Sequence, residues 1–199
     1  MHPYIYSQFE KLCSSLNMRG RVLEIGASPH HPNLLTLPSL KDASLRIGVG
    51  LDGSIDADDY TILHQDAHDL SSFQDQSFDL VISNSMLEHD PQFWVTLQEA
   101  HRVLARGGWM MVGVPSFGNK GEIPLSKNIL DAIISDPNGK KYLNMFRASS
   151  LTLSVHNFPG DFYRFSAQAM KEVILQGLVE INVISVMQPP RVLGMGRKL

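Results

Sequence analysis

Short apolar runs that stop abruptly at glycine or a polar residue constrain this chain more than any other feature. Val22, Leu23 and Ile25 stop at Gly26, and Leu45 to Leu51 stops at Asp52. Tyr60 to Leu63, Phe78 to Ser83 and Trp109 to Val114 follow. Each is too short for a helix, and continuous apolar runs of this length read as strands buried on both faces. Helix signals lie between them. Ile5, Phe9, Leu12 and Leu16 step by four, three and four, which predicts a helix over residues 4–17. Asp90-Pro91 opens another, with the stripe Phe93, Leu97, Ala100 and Leu104 and a stop at Gly107-Gly108.

Residues 27–43 carry three prolines and little periodicity, so only short or irregular helix is expected there. The polar segment Asp52 to Asp59 reads as a turn. Ser166 caps a later helix through Gln176, and Leu178 to Met187 with Arg191 to Met195 form a terminal pair of strands around Pro189-Pro190. Alternating strands and helices predict an α/β, three-layer sandwich with a mostly parallel seven-stranded sheet and a terminal antiparallel strand. The 199 residues fit a single domain, 1–199, with a lid-like insertion at 115–160 holding short helices at 125–134 and 142–148.

The formal net charge is −3, and basic residues adjoin only in pairs such as Lys140-Lys141 and Arg197-Lys198. No stripe exists to track a phosphate backbone, so nucleic acid is not the expected partner. Cys13 is the only cysteine, which excludes an internal disulfide framework and fits a reducing compartment. No apolar run approaches membrane-spanning length and the opening Met-His-Pro-Tyr lacks a basic head, so a soluble, cytoplasmic protein with no membrane partner is expected. His30-His31 has no cysteine or carboxylate at ligand spacing, so no metal is expected. The oligomeric state is left open.

In an open parallel sheet, ligands sit beyond the carboxyl ends of the strands where strand order reverses. Glu24-Ile25-Gly26-Ala27-Ser28 falls at such an end, where Gly26 and small Ala27 let backbone approach a ligand, or simply make a tight turn. Asp52-Gly53 ends the second strand, as an acceptor for ribose hydroxyls or as a turn. Asp66-Ala67-His68 follows the third, where a carboxylate and an amide could read adenine, or simply form a polar loop. Asn84-Ser85 ends the fourth, just ahead of Glu88-His89.

Together these segments resemble class I S-adenosylmethionine (SAM)-dependent methyltransferases, in the small-molecule branch called methyltransferase type 11. Val22 to Gly26 is similar to the family's first motif, Gln65 to Leu70 to its adenine loop, and Phe78 to His89 to its fourth-strand motif. Glu99 to Gly108 resembles the helix-to-strand signature that follows, and Asp161-Phe162-Tyr163-Arg164-Phe165-Ser166 a segment of some members. The chain departs from the family twice: a second glycine is missing after Gly26, and the usual ribose-binding acid falls at Gly50, two residues before Asp52. The resemblance implies a Rossmann-like sheet, SAM as cofactor and a small-molecule methyl acceptor. It implies a cofactor site of Glu24, Gly26, Ala27, Ser28, Asp52, Gly53, Asp66, Ala67, His68, Asn84 and Ser85.

Methyl transfer is an in-line displacement that needs alignment and, for some acceptors, a base. His89 and His156 are the candidate bases because imidazole titrates near neutrality, although His89 equally suits a helix entry and His156 a structural loop position. Tyr163 and Arg164 are candidates for holding the acceptor, or for tying the lid to the sheet. A nicotinamide-dependent oxidoreductase is disfavoured because Gly-x-Gly-x-x-Gly is missing. A catalytically silent SAM-binding or partner-binding protein is the remaining alternative.

Overall fold

The computed structural model describes residues 1–117, 135–139, 160–187 and 189–199. The strands among them are β1 (Arg21–Ile25), β2 (Leu45–Gly50), β3 (Ile55–Asp56), β4 (Thr61–His64), β5 (Phe78–Asn84), β6 (Leu104–Pro115), β7 (Val179–Met187) and β8 (Pro190–Arg197). They make one sheet in the order β3-β4-β2-β1-β5-β6-β8-β7. From β4 to β6 the pairing is parallel, and β8 runs antiparallel between β6 and β7.

The sheet has eight strands rather than seven because the expected turn at Asp52 to Asp59 holds a two-residue strand, β3, paired antiparallel with β4. The expected terminal antiparallel strand, β8, does not stand at the edge. The tight turn at Pro189 folds it back between β6 and β7, so that β7 closes that edge. Strand β6 begins at Leu104, five residues before the apolar run that announced it, directly where helix α2 (Phe93–Val103) ends. The left-handed Gly107, with φ +77, lies inside this entry segment.

Helix α1 (Pro3–Ser14) is capped by the His2 ring, which accepts the Tyr4 amide at 3.2 Å, and ends before left-handed Asn17. The proline-rich stretch forms only two 3-10 turns, Leu34–Thr36 and Pro38–Leu40. Ser166 accepts the Ala169 amide at 3.0 Å and caps helix α3 (Ala167–Ala169), which runs on as a π-helical turn over Met170–Ile174.

Alternation along the buried strands sends side chains to opposite faces. Val22, Leu80, Ile82 and Met111 pack under Ile5, Phe9 and Cys13 of α1. Leu23, Ile25, Val81 and Met110 pack under Leu97, Ala100 and Val103 of α2 and under Met170 and Ile174. Each such fully buried Leu, Ile, Val or Met contributes roughly 1.5–3 kcal/mol relative to exposure. Burial on both faces is what holds the carboxyl ends of the parallel strands in register. Most of the insertion, with its two expected helices and His156, lies outside the described residues. Among the described residues no helix is long and apolar enough to cross a membrane.

Candidate functional site

Strand β1 has β2 on one side and β5 on the other, so successive connections leave it in opposite directions and open a crevice at the carboxyl ends. A cavity of about 540 Å3 occupies that crevice, a volume typical of small-ligand sites. Glu24, Gly26, Ala27, Ser28, Asp52, Asp66, Ala67, His68, Asn84 and Ser85 all line it, whereas Gly53 does not.

The turn after β1 is drawn tightly against β2. The amides of Gly26 and Ala27 both donate to the Val49 carbonyl, at 2.8 and 2.9 Å. Gly26 has φ +85, and a Cβ there would lie 2.6 Å from the Cβ of Met86. A Cβ at Gly50 would lie 2.0 Å from the Ala27 carbonyl oxygen. Position 50, where the resemblance would place an acid, therefore cannot carry a side chain while this turn stands. The next carboxylate along the chain that reaches the cavity wall is Asp52.

Glu24 is 4% exposed, and its Oε2 accepts the amides of Leu34 and Leu35 at 2.8 and 3.1 Å. It thus anchors the first 3-10 turn, with one carboxylate oxygen committed to the loop. Burial pushes its carboxyl up to about 7, against the two amide bonds that favour the charged form.

On the far side of β2, Asp66 Oδ1 accepts the His68 amide at 2.9 Å. The His68 ring donates from Nε2 to Asp90 Oδ1 at 2.9 Å, and Asp90 also accepts from the Gln92 amide at 2.8 Å and the Thr96 hydroxyl at 2.7 Å. Asp90 and Thr96 also line the cavity, so a buried carboxylate joins the loops that follow β4 and β5. Sequence reasoning saw Asp90 only as a helix start. Its link to His68 spans 22 residues and leaves no local signal.

At the end of β5, Asn84 Oδ1 is buried without a hydrogen-bond partner. Ser85 adopts φ +56 and donates its amide to the Gly113 carbonyl at 2.9 Å. The Asn84 oxygen lies over Gly113 beside the Phe9 ring, while Ser85 holds a backbone conformation uncommon for a non-glycine residue. Asp52 at the rim fits the hydroxyls of a sugar, and the Gly26-to-Ser28 backbone admits close approach.

His2 and Ile5 from the α1 end, His31 and Pro32, and Met86, His89, Pro91 and Arg191 build the remaining wall. The His89 ring hydrogen-bonds through Nδ1 to the Gly160 carbonyl. A carbonyl only accepts, so Nδ1 carries a proton, and Nε2 lies 3.9 Å from Oε1 of the buried Glu88. Tyr163 and Arg164 do not line the cavity. The Tyr163 hydroxyl donates to the Pro91 carbonyl at 2.9 Å, and its ring meets Phe93 edge-on at 5.1 Å. The Arg164 guanidinium pairs with Asp161, Nη2 to Oδ2 at 2.6 Å, and also donates to the Tyr163 carbonyl at 2.8 Å. Arg191 was not foreseen; nothing next to it in sequence marks it. Among the described residues no cluster of three or more His, Cys, Asp or Glu side chains could hold a metal ion.

Residues 45–112, from the start of β2 into β6, match the model of the methyltransferase domain family. The match begins beyond the Gly26 turn, the first of the two departures from the usual pattern, and includes the second, at Gly50 and Asp52. No curated protein matches the chain in sequence. Among solved structures, a SAM-dependent methyltransferase from Thermotoga maritima, described as a possible histamine N-methyltransferase, is 16% identical; the superposition covers 98% of this chain and 89% of that one with a TM-score of 0.57. A SAM-dependent methyltransferase from Archaeoglobus fulgidus is 14% identical over 98% and 93% of the two chains, with a TM-score of 0.60. Phosphoethanolamine N-methyltransferase 2 of Haemonchus contortus, solved with phosphomonomethylethanolamine and S-adenosylhomocysteine, is 13% identical over 96% and 53%, with a TM-score of 0.57.

Proposed function

From a chain that carries a methyltransferase-domain segment on the class I SAM-dependent methyltransferase fold, we propose an enzyme that binds SAM and methylates a small molecule. The observation that carries this reading is the convergence of residues from four strand exits on one cavity. Asp52 holds the ribose hydroxyls, the Asp66-to-His68 loop reads the adenine, and Asn84 and Ser85 border the amino-acid end. Gly26, Ala27 and Ser28 give backbone contact, and Glu24 holds the loop that shapes this wall.

When bound, SAM would supply a methyl group on a sulfonium, with S-adenosylhomocysteine as the leaving group. The chain's own residues align the acceptor nucleophile and exclude water. His89 takes the acceptor's proton at Nε2 while the Gly160 carbonyl keeps Nδ1–H in place. Tyr163 fastens the Asp161-to-Ser166 segment to the Pro91 turn, and Arg164 braces that segment from within through Asp161.

Calorimetric titration with S-adenosylhomocysteine, with NAD as control, tests the cofactor. Micromolar binding of the first alone is expected. Binding of neither defeats the reading, and binding of NAD alone replaces it with hydride chemistry. Protein that binds S-adenosylhomocysteine but transfers no methyl group across amine, hydroxyl, thiol and carboxylate acceptors would be a silent relative.

A further inference from the structure

Arg191 is the only arginine or lysine side chain on the cavity wall among the described residues. It enters from β8, where it lies opposite Pro115 at the carboxyl end of β6. That is three strands from β1 in the order β1-β5-β6-β8, or roughly 14 Å at about 4.8 Å per strand. The residues assigned to the cofactor leave the sheet at β1, β2, β4 and β5. Arg191 therefore serves the other end of the cavity.

Its guanidinium is held from behind. Nη1 stands 3.4 Å from Oε1 of Glu88, which is fully buried. This is longer than the 2.7–2.9 Å or so of a tight charge-assisted bond. Glu88 Oε2 is buried without a hydrogen-bond partner, and burial raises the Glu88 carboxyl above its ordinary range. The pair is thus loosely matched. A guanidinium has a planar fork of five N–H donors, and here Glu88 engages it through one nitrogen. Arg164, the arginine singled out in the sequence, is already paired with Asp161.

We propose that Arg191 binds an anionic group, a carboxylate or phosphate, on the methyl acceptor. Glu88 acts as a positioning residue that aims the guanidinium into the cavity. This rests on the function proposed above, and it narrows the acceptor to small molecules carrying such a group. The shared chemistry could also serve the carboxylate of SAM itself, so the experiment separates the two sources.

Wild type, Arg191→Gln and Arg191→Lys are titrated with S-adenosylhomocysteine and with 5′-methylthioadenosine, which lacks the carboxylate. Inorganic phosphate and acetate are then titrated into the S-adenosylhomocysteine-loaded proteins. We expect saturable binding of at least one anion to loaded wild type, weakened about tenfold or more by Arg191→Gln and partly kept by Arg191→Lys. S-adenosylhomocysteine affinity should change less than about threefold. A tenfold loss for S-adenosylhomocysteine with methylthioadenosine unaffected would assign Arg191 to the cofactor and overturn the proposal. So would absence of saturable anion binding, or equal binding by Arg191→Gln. Failure of wild type to bind S-adenosylhomocysteine defeats the function itself. If Arg191→Gln does not fold because it strands Glu88, the double variant Glu88→Gln/Arg191→Gln removes both charges and carries the same comparison.

Discussion

The turn after β1 and the wall around Arg191 face one cavity but are held by opposite means. At Gly26 and Gly50 backbone meets backbone: two amides share the Val49 carbonyl, and no room remains for a Cβ at either glycine. Around Arg191 long side chains meet across 103 residues of sequence at 3.4 Å, with an unpartnered oxygen left behind. The first kind of wall is fixed by the backbone itself; the second is set by the identity of two side chains, one of them fully buried.

The comparison breaks most easily at the tight wall. Gly26→Val would put a branched side chain at positive φ and against Met86, and we expect S-adenosylhomocysteine binding to be abolished; near-unchanged affinity in a folded variant would show that the turn yields. Gly50→Asp restores the carboxylate at the usual family position, yet should cost about 3 kcal/mol or more of combined stability and affinity, because its Cβ would overlap the Ala27 carbonyl. Urea melts and calorimetry read both quantities, and tighter binding would refute the steric account.

Glu24 tests the loop behind that wall. Its carboxyl keeps its proton to about pH 7 in the fold but to only about 4.5 when unfolded. Between these values the folded state binds more protons, so stability falls as pH rises, by about 1.4 kcal/mol per pH unit and about 3 kcal/mol in all. Urea melts at pH 5 and pH 8 should show this fall in wild type and a smaller one in Glu24→Gln, whose amide oxygen can still accept from Leu34 and Leu35; Glu88, also raised by burial, supplies the remainder. A slope unchanged by the substitution would place the titrating group elsewhere. Asp52→Ala should make the smallest change, weakening S-adenosylhomocysteine by roughly 1–3 kcal/mol on the scale of a charge-assisted hydrogen bond. No loss would move the ribose contact to another residue.

Sequence patterns end where contacts become non-local. Val22 to Ile25, Phe78 to Ser83 and the Ser166 cap were legible because burial and capping leave marks within a few residues. Strand β3 was missed because two exposed residues, Ile55 and Asp56, carry no periodicity. In the sequence Asp90 marks a helix start, and Arg164 suits either an acceptor contact or a tie between lid and sheet. Their contacts with His68 and Asp161 assign them to holding loops in place.

By itself the sequence determined the alternation of buried strands and helices, the crevice end of the sheet and several residues that line the cavity there, since each follows from local apolar runs and the residues that stop them. Only the tertiary structure decided that position 50 has no space for a side chain, that β8 turns back beside β6, and that Arg191 reaches the cavity. Those facts depend on which backbone lies against which, and distance in space between residues far apart in the chain leaves no trace in their order.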